Sequence, residues 1–154
     1  MNRDIKKIVS YYKRKTGTSD PFAIADQLGI LCQICNLQFE GCYMFLKNHR
    51  YIFINGNLPE HEQRLVMAHE LGHALLHRKE NCYFIRNKTL LLNSKKEIEA
   101  NKFAMELLLP DSFFDEYREF TVDQISRMTG YHKRLIELHI RSKNETKDIY
   151  SRSF

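Results

Sequence analysis

Leu65-Val66-Met67-Ala68-His69-Glu70-Leu71-Gly72-His73-Ala74-Leu75-Leu76-His77 is the stretch on which the reading of this chain turns. Its apolar residues surround a helical axis on nearly all sides, which predicts a central, buried helix rather than a surface one. Within it, His69 and His73 stand four residues apart in an HExxH pattern, so both imidazoles project from one face. Glu70 follows His69 by about 100° around the axis and stands beside whatever the two rings hold. Imidazoles and a carboxylate are costly to bury unless something satisfies them, and a metal ion does so. Gly72 weakens the helix by about 1 kcal/mol relative to Ala, which predicts that another backbone or a substrate comes close there. His77 lies about 12 Å along the axis from His69, too far to share one ion with both other histidines. It is expected behind the ligands, facing a substrate, or capping the helix end, where a partial positive charge is favourable.

A third ligand must therefore come from elsewhere. Pro59 opens the His-bearing helix, and a second helix is expected over about 94–109, ended by Pro110. Its apolar stripe of Ala100, Phe103, Ala104, Leu107 and Leu108 leaves Glu97 at the inner edge, whereas Glu99 falls near Lys102 and Glu106 on the side expected to face solvent. Ala100 and Ala104 permit close approach of the two helices. Three readings stay open: Glu97 as ligand, Glu97 turned back on Ser94 in a capping box, and Glu99 as ligand. The capping role disappears if the helix begins at Leu92 or Asn93.

The 154 residues are 43% apolar and 28% charged, which suits one globular domain with a continuous core and excludes disorder as the main state. No apolar run approaches the roughly 18 residues of a membrane span, and charges at Arg3, Asp4, Lys6 and Lys7 interrupt any export signal, so the expected location is cytoplasmic, without membrane association. The formal charge of +5 is modest, and direct nucleic-acid binding is not expected. Cys32-Gln33-Ile34-Cys35 has ligand spacing but lacks a second pair, since Cys42 and Cys82 do not form one; reduced thiols buried in strands are expected.

Ile5, Ile8, Val9 and Tyr12 predict a first helix stopped at Gly17, and Asp20-Pro21 caps a short second one that ends at Gly29. Segments 30–34, 41–46 and 51–54 read as strands of a small antiparallel sheet, with a polar turn at Lys47-Asn48-His49-Arg50. Thr121 and Gln124 form a capping box, Gly130 marks a stop, and Leu135, Ile136, Leu138 and Ile140 give an apolar side to a final helix.

These residues resemble the ImmA/IrrE family of metallopeptidases, related to the gluzincins. The likeness rests on Asp20-Pro21 with Ala23-Ile24-Ala25 and Leu28-Gly29-Ile30, on Gly41-Cys42-Tyr43, on the 65–77 stretch, and on Glu97-Ile98-Glu99-Ala100-Asn101-Lys102-Phe103-Ala104-Met105-Glu106-Leu107-Leu108-Leu109-Pro110. It implies an α+β, gluzincin-like minimal metallopeptidase: a small antiparallel sheet on a central HExxH helix and a second ligand helix, with a C-terminal helical hairpin. Residues 1–110 are expected to form the metallopeptidase domain, 111–143 a helical extension packed on it, and 144–154 a flexible tail.

The resemblance further implies one zinc ion bound by His69, His73 and Glu97, with Glu70 as general base. Asn101 is implied to orient a histidine from behind, where many gluzincins use Asp; a neutral amide strengthens the ligand less than a carboxylate does. Tyr43, His77, Tyr83 and Tyr117 are the candidates for steadying a developing oxyanion. Family members of this size are similar in cutting a helix-turn-helix repressor of a phage or integrative element, which makes such a repressor the expected substrate. The competing reading is a metal-binding regulatory, DNA-binding or partner-binding module without proteolytic activity, using the 121–143 helix pair.

Overall fold

The computed structural model describes residues 3–85 and 94–152. Helix α1 (Ile5–Thr16) begins where Asp4 accepts the Lys7 N–H at 3.1 Å, and it closes at Gly17, whose φ of 72° suits glycine. Helix α2 (Pro21–Gln27) begins where Asp20 accepts the Phe22 N–H, with Pro21 in its first turn. Three strands follow, β1 (Leu31–Cys35), β2 (Gly41–Leu46) and β3 (His49–Asn55). Lys47 and Asn48, with φ of 50° and 66°, make the two-residue turn that joins β2 to β3. Helix α3 (Glu60–Leu76) is next, then β4 (Cys82–Phe84), α4 (Lys95–Leu108), α5 (Asp111–Glu116), α6 (Val122–Thr129) and α7 (Lys133–Arg152).

The architecture is α+β, and the sheet is mixed where the sequence suggests a wholly antiparallel one. Its order is β1-β3-β2-β4, with β1 parallel to β3 and the other pairs antiparallel. The difference arises between β1 and β2, where residues 36–40 carry the chain across the end of β3 instead of turning back beside β1. Asn55 holds that crossing: its side-chain amide donates to Leu37 O and its N–H to Glu40 O. β1 is thereby left at an edge, with Leu31 and Ile34 more than half exposed. Cys32 is exposed there too, contrary to the expectation of buried thiols; Cys42 is the buried one, and all four cysteines are free. Strand β4 pairs with β2 at the other edge, in a segment that reads as a polar connection because three residues are too few to show alternation.

Tyr43, Ile52 and Ile54 of the sheet pack with Val66, Met67, Leu71 and Ala74 of α3 and with Phe103, Ala104 and Leu107 of α4 in the main core. α3 is buried without interruption from Val66 to Ala74, as its apolar circumference predicts. The approach at Gly72 is made by α4: a Cβ there would lie 3.1 Å from Phe103 Cβ and 3.3 Å from the backbone of Ala100. A second apolar cluster forms around Met105 and Leu109 with Phe114, Ile125, Tyr131, Leu135 and Ile136. The α6–α7 pair thus spends its apolar side on packing against α4. Thr121 and Gln124 make the capping box, and Gly130 closes α6 with φ of 76°. Between Leu138 and Ile140, which are only partly covered, it is His139 that is buried. The final helix does not stop at 143 but continues to Arg152, and the alternative start of α4 at Leu92 or Asn93 lies outside the described residues.

Candidate metal centre

α3 places His69 and His73 one turn apart on its buried face, and α4 crosses beside them with Glu97 in its first turn. The Nε2 atoms of the two histidines lie 3.2 Å apart. Glu97 Oε2 stands 3.0 Å from His69 Nε2, and Glu97 Oε1 3.1 Å from His73 Nε2. Ser94 does cap α4 by accepting the Glu97 N–H at 3.3 Å, but the Glu97 carboxylate goes to the histidines and not back to Ser94. Ser94 thus caps the helix through the Glu97 backbone alone, and the reciprocal half of the capping box is not made. Burial on its own would raise the Glu97 carboxyl; hydrogen bonds and charge from His69 and His73 outweigh it and hold the group at about 2.

Behind the rings, Asn101 Oδ1 lies 2.8 Å from His69 Nδ1 and is itself buried. His77 Nδ1 lies 3.1 Å from His73 Nδ1, and His77 Nε2 lies 3.2 Å from Glu99 Oε1. Glu99 is buried, not solvent-facing: α1 also packs on α4, and Arg3, just ahead of α1, brings its guanidinium to 3.8 Å from Glu99 and donates to Leu76 O. Counting around α4 alone could not reveal a neighbour contributed by the first residues of the chain.

Glu70 is fully buried, and burial pushes its carboxyl up to about 7 against the lowering effects of His73 and the Cys82 thiol. Cys82 Sγ donates to Glu70 Oε2 at 2.9 Å, while Glu70 Oε1 is buried and has no hydrogen-bond partner among the described residues. Cys82 had no sequence signal, because its role depends on β4 pairing across from Tyr43. Tyr43 is withdrawn from the centre, its hydroxyl donating to Arg78 O. Tyr117 packs against Phe113 and Phe120, and Tyr83 is exposed against Phe39. Phe84 lies edge-on to the His69 ring, centroids 4.9 Å apart. It also lines a cleft of about 300 Å³ with Leu65 and Val66 of α3 and Gly130, Tyr131 and His132 at the α6–α7 turn.

The family model described as Peptidase_M78, IrrE N-terminal-like domain, matches residues 25–133. The chain belongs to the ImmA/IrrE family of metallopeptidases. Among ImmA/IrrE relatives, it is 40% identical over 149 residues to "Uncharacterized immunity region protein 2" of Bacillus phage phi105, covering 94% of this chain and 93% of that protein. It is 45% identical over 65 residues to "Metallopeptidase ImmA" of Bacillus subtilis strain 168, covering 42% of this chain and 37% of that protein.

ImmA/IrrE membership implies a metal ion, and the donor set fits one. Asn101 Oδ1 can only accept, so a neutral His69 carries its proton on Nδ1 and turns a lone pair on Nε2 towards Glu97 and His73. Lone pairs and a carboxylate crowded together within 4.8 Å repel one another unless a cation, either a proton on an imidazole or a metal ion, lies among them. A second His/Glu/Asp group, Glu106, Asp111 and His139, has no such need, since Lys6 and Lys143 already stand 2.5 Å and 3.3 Å from the Asp111 carboxylate.

Proposed function

We propose that the protein is a zinc-dependent cytoplasmic endopeptidase that cuts one folded helix-turn-helix repressor of a phage or integrative element. The observation that carries this reading is the convergence of His69 Nε2, His73 Nε2 and both Glu97 oxygens beside a fully buried Glu70. His69, His73 and Glu97 would hold the ion. A zinc ion held there acidifies water and polarises the scissile carbonyl. Glu70 is the general base: its unpartnered Oε1 takes the proton of the attacking water and passes it to the leaving amine. A carboxyl pushed up to about 7 can both accept and release that proton near neutrality. Asn101 and His77 hold the two ligand rings in place.

The cleft beside Phe84 receives the substrate segment, so recognition is shared between α3 and the C-terminal helices. A relative named for a phage immunity region supports a substrate that controls the element's own genes. Four free thiols suit a reducing compartment, and among the described residues no helix is long and apolar enough to cross a membrane.

The test is incubation of the purified protein and zinc with the repressor encoded beside its gene, alongside Glu70→Gln. One discrete cut by the wild type, slowed at least about a hundredfold in Glu70→Gln, is expected. Equal cleavage by both would overturn the mechanism, and an intact repressor alongside hydrolysis of unrelated peptides would overturn the substrate. Metal analysis should find one zinc per chain, lost in Glu97→Ala.

A further inference from the structure

We propose that Glu99, acting through His77, is the positioning residue of His73: it fixes which ring nitrogen of His73 carries the proton and so turns Nε2 towards the metal. The inference rests on the reading of His69, His73 and Glu97 as zinc ligands, with His77 behind His73, and extends it to Glu99, which that reading does not use. His73 Nδ1 and His77 Nδ1 lie 3.1 Å apart, and two ring nitrogens at that distance require one donor and one acceptor. Nothing within that pair decides which is which.

Glu99 decides it. Its Oε1 lies 3.2 Å from His77 Nε2, and an ionised carboxylate can only accept, so His77 carries its proton on Nε2. A neutral His77 then offers a lone pair at Nδ1, and His73 must donate to it from its own Nδ1. That leaves the lone pair of His73 on Nε2, the atom beside Glu97 Oε1 and His69 Nε2. The direction of every hydrogen bond in the chain Glu99–His77–His73 is set at its outer end.

The two ligand histidines are therefore oriented by different means, His69 by a neutral amide and His73 by a carboxylate acting through a second imidazole. Glu99 is buried, and the charge it carries is balanced by the Arg3 guanidinium, which donates to Leu76 O and stands 3.8 Å from Glu99 Oε2. A carboxylate taken out of water next to a cation and an imidazole N–H is a directed acceptor and not a stray surface charge.

The experiment is competition of the metal-free wild type, Glu99→Leu and Glu99→Gln with a chromophoric chelator for zinc, together with NMR assignment of the His73 tautomer in each. Glu99→Leu should weaken zinc binding about 10- to 100-fold and mix the His73 tautomers. Glu99→Gln should lose less than about tenfold and keep the wild-type tautomer, because its amide oxygen can accept the same hydrogen bond. Unchanged affinity in both variants would overturn the proposal, as would equal losses in both, which would show that charge and not direction matters. If Glu99→Leu does not fold, a mixed tautomer in Glu99→Gln would overturn it on its own. A wild type that takes up no zinc at all would overturn the ligand reading itself, an outcome distinct from normal uptake with indifferent variants.

Discussion

Cys82 touches the proposed general base with a thiol, a weak donor on a side chain that is otherwise apolar. Its S–H is the partner of Glu70 Oε2, and the other carboxylate oxygen has none. Removing the donor favours the protonated form of Glu70. The acid limb of the pH–rate profile should therefore move upward by about half to one unit in Cys82→Ala, and return in Cys82→Ser. A limb that stays in place in Cys82→Ala would show that the thiol does not tune the base. His69, Glu70 and His73 were legible because one helical segment carries both the pattern and the burial it needs. Glu97 was reachable by counting around an axis. Cys82 and Glu99 were not, because each acquires its role from an element distant in the chain, the β4 edge in one case and the residues ahead of α1 in the other.

Between elements, the approach of α3 and α4 sets the geometry of the centre, and at Gly72 the α4 backbone stands 3.3 Å from where a Cβ would lie. A branched side chain there meets Ala100 backbone, which cannot rotate out of the way. Gly72→Val is expected to push α4 outward, lower stability by about 1–3 kcal/mol and carry Glu97 away from the histidines. Zinc affinity should fall by about tenfold or more, measured by chelator competition. Wild-type affinity in a folded Gly72→Val would mean that α4 yields without moving Glu97. The helices of this layer were readable from caps and stops: Asp20-Pro21, Thr121 with Gln124, and the glycines at 17 and 130 all act as their residue types suggest. Sheet order was not readable, because a five-residue link serves equally to turn back beside a strand or to cross one. α5 was missed because six residues are too few for a 3.6-residue period to declare itself.

At the scale of the molecule, α4 is shared property. Glu97 and Asn101 face His69 at the candidate metal centre, and Met105 with Leu109 anchors the C-terminal helices. A chain cut after Pro110 should consequently expose that second cluster and be recovered aggregated or unfolded, as light scattering and circular dichroism would show. The same junction holds a buried polar group. Burial and Lys143 push His139 down to about 4, and burial with Asp111 pushes Glu106 up to about 7. Unfolding lets His139 take a proton that the fold refuses, so this residue withdraws stability as pH falls from about 6.5 to about 4. Glu106 keeps a proton that the unfolded chain releases, so it withdraws stability as pH rises from about 4.5 to about 7. The opposed slopes largely cancel in wild type. In Glu106→Gln only the histidine's remains, and the melting temperature should drop as pH is lowered from about 6.5 to about 4; a level profile in that variant would sink the assignment. Finally, Arg3 ties the first residues of the chain to the end of α3 and to Glu99. An affinity tag fused ahead of Arg3 would therefore start beside the end of α3, and a polyhistidine tag would bring competing imidazoles with it. Preparations carrying the tag at the other terminus are the ones whose metal content and turnover can be taken at face value.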